Sequence, residues 1–310
     1  MLKAEGDMVE LTVGKGGDYS SIQEALDAIP YRIPARVVVK KGEYHEKLFC
    51  DKHDLTLVGE DGAVVSWDDG AWETVSDGYK RGTFRSSTAF FSGERLRLVN
   101  LTIRNTAGKG SEVGQAVALY LDVRHARLEK MALEGWQDTL FLAPLPQKER
   151  EPRGFFGPRV FAPRLKSEVV VVDSVITGDI DFIFGGADAL FSHCDIISRG
   201  PGYVAAPSGN RRDRGFVFAD CRFLSDGAPD GSVYLMRPWR PEGKVTCIRC
   251  TYGAQIHPDG FHGWQGREAE KRFGFAEYHC SGVQPMRRLP PARELTEAEA
   301  STLVTSFGMP

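Results

Sequence analysis

A short β-rich string returns along this chain at irregular intervals, and that return restricts the fold more than any other feature. Leu98-Val99-Asn100-Leu101-Thr102-Ile103 is echoed by Val172-Asp173-Ser174-Val175-Ile176. The echo continues in Ser192-His193-Cys194-Asp195-Ile196, Ala219-Asp220-Cys221-Arg222-Phe223 and Ile248-Arg249-Cys250-Thr251-Tyr252. The spacings are 21 residues from Asp173 to Cys194, 27 from Cys194 to Cys221 and 29 from Cys221 to Cys250. A repeat of this length with β character specifies a solenoid, because each coil can bury its inward residues only by stacking on the next. Three thiols at matching places then predict an internal ladder.

The rest of the pattern agrees. Runs such as Arg36-Val37-Val38-Val39, Leu55-Thr56-Leu57-Val58 and Val169-Val170-Val171-Val172 are β-branched and split by Gly, Asp and Asn. Strands and helices do not alternate, which argues against a βαβ sheet. Two helices are legible. Ser21-Ile22-Gln23-Glu24 has capping-box form and leads into Ala25, Leu26 and Ile29; it is placed to cover an open end of the solenoid. Thr296-Glu297-Ala298-Glu299 repeats the form before Leu303 and Val304. The expected organisation is one all-β domain over 1–310, with a core at about 10–282 and a helical tail at 283–310. Residues 143–164 break the rhythm as a long proline-rich loop between two motifs of interest. Its five cations (Lys148, Arg150, Arg153, Arg159, Arg164) face two carboxylates, Glu149 and Glu151, a net +3.

Several function classes are disfavoured. A net charge of −3 argues against nucleic acid as a partner. No run of 18 apolar residues predicts a membrane helix. The start, Met1 to Asp7, has no apolar leader segment, so a cytoplasmic protein is expected, the alternative being secretion with the leader removed. A monomer is expected. Six cysteines are too sparse for a disulfide scaffold. Cys247-x-x-Cys250 lies in a strand-like run whose positions three apart point to opposite faces, so buried free thiols are expected rather than a metal site. The seven histidines show no ligand spacing, and neither metal nor cofactor is expected.

Two acidic strings read as chemistry. Asp138 lies in Gly135-Trp136-Gln137-Asp138-Thr139-Leu140-Phe141, and Asp181 in Gly178-Asp179-Ile180-Asp181-Phe182-Ile183-Phe184-Gly185. Carboxylates among large apolar neighbours are disfavoured as anions, and a second carboxylate nearby adds to the effect. That splits a pair into one acid and one base or nucleophile. Gln115, in the alternating run Gln115-Ala116-Val117-Ala118-Leu119, and Gln137 each add a neutral amide. Tyr234-Leu235-Met236-Arg237-Pro238-Trp239 adds a guanidinium and an indole. No Gly-x-Ser-x-Gly elbow is present.

With Gly42-Glu43-Tyr44-His45-Glu46, Asn105-Thr106-Ala107-Gly108, Gln115 to Leu119, Gln137 to Leu140, Asp181 to Gly185 and Arg237-Pro238-Trp239 in order, the chain resembles pectin methylesterases from about residue 10 to 282. It looks like a bacterial-type member with a long loop between the two Asp motifs. The resemblance implies a right-handed parallel β-helix that hydrolyses the C6 methyl ester of galacturonate units in pectin or methylated oligogalacturonides. It implies Asp181 as nucleophile, Asp138 as general acid then base, Gln115 and Gln137 as oxyanion donors, and Arg237 holding Asp181 ionised. It implies Trp239, Phe141 and Phe184 as sugar-contacting aromatics.

Three positions depart from the family pattern. Met236 stands where Gly is usual and, opposite in strand direction to Arg237, is expected to pack inward. Asp179 stands where Thr is usual; on the same strand face as Asp181, it would raise the acid's pKa or bind a loop arginine. Phe261 replaces a usual Trp. Other readings stay open on sequence alone: a calcium-dependent lyase with Asp138, Asp179 and Asp181 as oxygen ligands and Arg237 as base, a noncatalytic uronate-binding solenoid, and an esterase for another acyl group.

Overall fold

The computed structural model describes residues 8–263, 274–283 and 293–308. The expectations for a leader at 1–7, for much of the tail at 284–292 and for the core at 264–273 therefore fall outside the described residues. Strands pair in parallel and wind into a right-handed β-helix, as the repeat requires. Three sheets run along it. The first stacks Val9–Val13, Ala35–Val39, Asp54–Gly59, the later halves of Ala89–Val99 and Leu119–Glu129, then Glu168–Val172, Asp188–Ser192, Phe216–Ala219, Lys244–Ile248 and Gly274–Tyr278. The second begins at Gly42–His45 and ends at Thr251–Tyr252. The third stacks Leu48–Cys50, the first parts of Ala89–Val99 and Leu119–Glu129, Leu140–Leu142, the ends of Val175–Gly185 and Asp195–Pro207, and Val233–Met236.

The repeated string is the corner between the first and second sheets. Asn100, Lys130, Asp173, His193, Asp220, Arg249 and His279 each follow a first-sheet strand, and all have φ between 47° and 55°. One left-handed residue turns the chain and aims its successor inward. Asn and Asp tolerate that conformation best, which is why the string so often carries them. Asp173 therefore matches His193, and Ser174 matches Cys194, one residue out of the alignment expected from sequence. The thiol ladder is present. The Sγ of Cys194 donates to Val171 O (3.5 Å), that of Cys221 to Phe191 O (3.3 Å) and that of Cys250 to Phe218 O (3.3 Å), each reaching into the preceding coil. Cys247 and Cys250 do not point to opposite faces. Both lie in the central core, because left-handed Arg249 interrupts the strand alternation between them. Both are free and buried, as expected.

Helix α1 (Ile22–Ala28) buries Ile22, Ala25 and Leu26 against the first coil. Its capping box is only half made. Ser21 accepts from Glu24 N (3.3 Å), but Glu46 takes the next free donors, Ile22 N (3.0 Å) and Gln23 N (2.9 Å). A carboxylate there satisfies orphan N–H groups and complements the helix dipole. A short α2 (Gly110–Val113), not foreseen, precedes Gln115. Helix α3 (Glu297–Thr305) has a complete box between Thr296 and Glu299 and packs Ala300, Leu303 and Val304 on the outside of the first sheet.

Residues 143–164 form an ordered strap rather than a strand or helix. Phe155 is buried in an aromatic cluster with Phe84, Phe141, Phe184 and, at its edge, Trp239. Arg159 pairs with Asp122, and Arg164 donates to the carbonyls of Arg159, Val160 and Ala162. Part of the loop's positive charge is thus spent on holding the loop to itself and to the solenoid.

Candidate active site

The site forms outside the third sheet, where neighbouring coils enter or leave it. Gln115 precedes Leu119–Glu129, Asp138 precedes Leu140–Leu142, Asp181 lies within Val175–Gly185 and Arg237 follows Val233–Met236. Parallel stacking sets these residues side by side although they are far apart in sequence. Backbone bonds lock the coils together at this level: Ala116 N to Gln137 O (3.1 Å), Asp138 N to Ile180 O (3.0 Å) and Asp179 N to Trp136 O (3.2 Å). Both aspartates have positive φ, 65° at Asp138 and 51° at Asp181. Non-glycine residues held in this region are strained, and such strain collects at functional sites. At Asp181 it breaks the strand's alternation, with register shifts on both sides of Ile180. The expectation that 179 and 181 share a regular strand face therefore fails.

A cleft of about 200 Å³ is lined by Gln115, Gln137, Asp138, Asp181, Phe184, Arg237 and Trp239, with Thr83, Phe84, Gly154 and Ala206. Arg237 holds Asp181 with two parallel bonds, Nε to Oδ1 at 2.8 Å and Nη2 to Oδ2 at 2.6 Å. Such a fork favours the anion and fixes its plane. Asp138 and Asp181 are only 8% and 5% exposed. Burial, then the charge of Asp181, pushes the Asp138 carboxyl well above the usual range. Burial also raises Asp181, but the bonds and charge of Arg237 oppose it. Two carboxyls in one cleft thus receive unequal environments.

Six of the eight residues expected at the site line the cleft outright and a seventh, Phe184, lines it while only 3% exposed. Phe141 is the correction. It is fully buried, edge-on to Phe84 (4.9 Å) and Tyr120 (4.7 Å), so it supports the cleft's aromatic wall and does not reach a sugar. The strand Leu140–Leu142 is buried on both faces beneath the loop, so alternation gave no outward side for it. Met236 is buried in the core as expected, and so is Phe261. Asp179 raises the pKa of both cleft aspartates; its own charge faces Lys109 and Arg199, not an arginine of the 143–164 loop.

The sequence did not reveal Thr83 and Phe84. They sit in a 3-10 turn, Thr83–Arg85, within an irregular segment that carries no periodicity. Phe84 contacts Phe141, Phe155, Phe184 and Trp239, with ring centroids 4.9–6.4 Å apart, so it joins the loop to the cleft wall. Gly110, the first residue of α2, was also missed. A Cβ there would lie 2.2 Å from Oε1 and 2.8 Å from Cβ of Gln137, so only glycine leaves that amide its place. Asn105 has a scaffold role: its buried amide donates to Asp69 O (3.1 Å), Ser86 O (3.0 Å) and Val117 O (3.1 Å), tying the irregular segment to the strand after Gln115.

Comparison with known proteins agrees with this geometry. The pectinesterase family model matches residues 9–152 and 169–288, and the break falls inside the strap and just beyond it. Pectinesterase 31 of Arabidopsis thaliana is 30% identical over 311 residues, spanning 96% of this chain and 90% of that protein. The fold superposes on pectin methylesterase PemA from Erwinia chrysanthemi with a TM-score of 0.73 and 26% identity, over 97% of this chain and 95% of the other. A pectin methylesterase crystallised with a hexasaccharide gives the same TM-score of 0.73 at 27% identity, over 94% of each chain. The chain belongs to the pectinesterase family.

Proposed function

We propose that the protein hydrolyses the C6 methyl ester of galacturonate units in pectin or its oligomers, releasing methanol. The observation that carries this is the unequal pair of buried aspartates, one forked by Arg237 and one not, in a cleft that also holds two neutral amides. Acyl transfer needs a nucleophile, a proton donor and an oxyanion pocket. Asp181, kept ionised by Arg237, attacks the ester carbonyl. Gln115 and Gln137 donate to the oxyanion that forms. Asp138, protonated because burial penalises its anion, gives its proton to the departing methoxy oxygen, and methanol leaves. A uronyl–Asp181 anhydride remains. Asp138, now a carboxylate, takes a proton from water as that water attacks. Asp181 leaves as a carboxylate and Asp138 is again protonated, so charge and protons balance over the cycle.

Trp239, half-buried in the cleft that both aspartates line, and Phe184 are the aromatic surfaces for the sugar ring. The lyase reading is less well supported, because it uses Arg237 as a base. Both arms of Arg237 donate to Asp181, which holds the guanidinium protonated. The test is product analysis on methylated polygalacturonate. One methanol per new carboxylate, with no unsaturated product, supports the esterase. A product absorbing in the ultraviolet through a new double bond refutes it.

A further inference from the structure

The thiol ladder has a fourth rung. His279 is left-handed like Arg249, with φ of 47°, and the residue after it is Cys280. Cys194, Cys221, Cys250 and Cys280 therefore hold the same corner place on successive coils. Ser281 N donates to Cys250 O (2.8 Å), and Thr251 bridges Ser281 in parallel, so Cys250 and Cys280 are register neighbours. Neighbouring strands stand about 4.8 Å apart, inside the range of roughly 4.4–6.8 Å between the Cα atoms of a disulfide.

The rungs are not equivalent. Of the six cysteines, all within the described residues, five are buried and Cys280 alone is partly exposed. An oxidant in solution therefore meets the ladder at Cys280. The three inner thiols each donate to a carbonyl of the preceding coil. Cys280 makes only a long bond of 3.7 Å to Tyr278 O, in its own coil. The hydrogen bond between Cys250 and Cys280 lowers the Cys280 thiol to about 7, while burial pushes Cys250 well above the usual range. The thiolate, not the thiol, is the nucleophile. A reactive sulfur at the surface thus stands against a protonated one beneath it, and neither belongs to the cleft.

We propose that Cys280 is an oxidative modification site and Cys250 its resolving partner, joined by hydrogen peroxide into a disulfide that staples the coil of Cys280 to the one before it. The Cys280 thiolate attacks a peroxide oxygen. The O–O bond breaks, an S–O bond forms, and hydroxide leaves and takes up a proton as water. The Cys250 sulfur then attacks the sulfenic sulfur of Cys280. The S–S bond forms, the S–O bond breaks, and the hydroxyl group departs with the Cys250 proton as a second water. Two thiols are oxidised and one peroxide is reduced to two waters. The staple falls where the solenoid needs it, because terminal coils have a neighbour on one side only and open first.

The test treats the intact, reduced protein with a small excess of hydrogen peroxide and maps its unreduced tryptic peptides by mass spectrometry. Trypsin cuts after Arg249, so Cys247 and Cys250 fall in separate peptides. A peptide cross-linked through Cys250 and Cys280 is expected from the parent and not from Cys280→Ser. Cys250→Ser should instead leave Cys280 as a sulfenic acid, which dimedone captures in greater yield than in the parent. Serine is tolerated at this place, since Ser174 fills it on an earlier coil, donating to Val172 O (2.7 Å) and accepting from Met131 N (3.0 Å). Amide exchange across Gly274–Tyr278 should slow about 10-fold in the oxidised protein and recover with dithiothreitol. A Cys280 that stays a free thiol, pairs with Cys247 or with a second molecule, or passes straight to sulfinic acid in the parent overturns the proposal. Unchanged exchange in protein that carries the cross-link overturns the stapling role.

Discussion

Replacing Asp138 by Asn should make the protein more stable and far less active, with the stability gain following pH. Asp138 is almost fully buried, and burial followed by the charge of Asp181 raises its pKa well above that of a free carboxyl. The folded state therefore holds this proton more tightly than the unfolded chain does. Below the unfolded value of about 3.9 both states are protonated and the site carries no penalty. As pH rises past that value the unfolded chain ionises first, and stability falls until the folded carboxyl ionises too. Asparagine keeps the shape and does not titrate, so the variant escapes this loss. At neutral pH the gain should be on the order of 1–3 kcal/mol, the usual cost of a poorly satisfied buried polar group. For a chain of this size that raises Tm by roughly 2–6 °C. Turnover should fall by about 10²–10⁴, the usual contribution of a general acid. Differential scanning calorimetry of both proteins from pH 3 to 8 checks the stability, and methanol release checks the activity. A variant less stable than the parent at pH 7, or one whose gain is the same at pH 3 and pH 7, would refute the reasoning.

Other outcomes follow from the same geometry. Gly110→Ala crowds a methyl against the stem of Gln137, so kcat should drop by about 10-fold or more, approaching the loss expected for an oxyanion donor, and Tm should fall as well; unaltered kinetics in the folded variant would mean that Gln137 does not act in the transition state. Gln115→Ala should lower kcat by roughly 10²–10³ with little change in KM, whereas a pure KM effect would make Gln115 a sugar contact. Deleting residues 146–160 with a short Gly-Ser bridge removes Phe155 from beside Phe84 and Trp239 and Gly154 from the cleft. Activity on polymer relative to short oligomers should rise in the folded deletion variant, and an unchanged ratio would show that the strap does not select substrate.

The fold was legible because its rule is local and repeated. Each of these coils carries one left-handed residue at the corner followed by one inward residue, and that pair recurs from Asn100 to His279. What sequence misplaced was alternation near such corners. Cys247 and Cys250 both turn inward because Arg249 is left-handed, and Asp181 departs from its strand for the same reason. The charged and amide members of the site were legible because carboxylates set among large apolar residues are costly without a purpose. The aromatic wall was less so. Phe141 and Phe184 occupy equivalent strand positions, register partners across the third sheet, yet only Phe184 borders the cleft. Which ring a loop covers depends on contacts between distant segments, here Phe84 and Phe155, and no local pattern encodes those. Glu46 shows the same limit: it caps α1 from a neighbouring coil, where sequence spacing pointed to Glu24.

The central claim is that Asp181 attacks the ester while Asp138 moves protons. First-turnover methanol release from a methylated oligogalacturonide, measured by rapid quench with enzyme in excess, tests it most directly. The account predicts a full equivalent from the parent protein, background release from Asp181→Ala, and a slowed but measurable release from Asp138→Asn. Methanol release by Asp181→Ala at near the parent rate would contradict it.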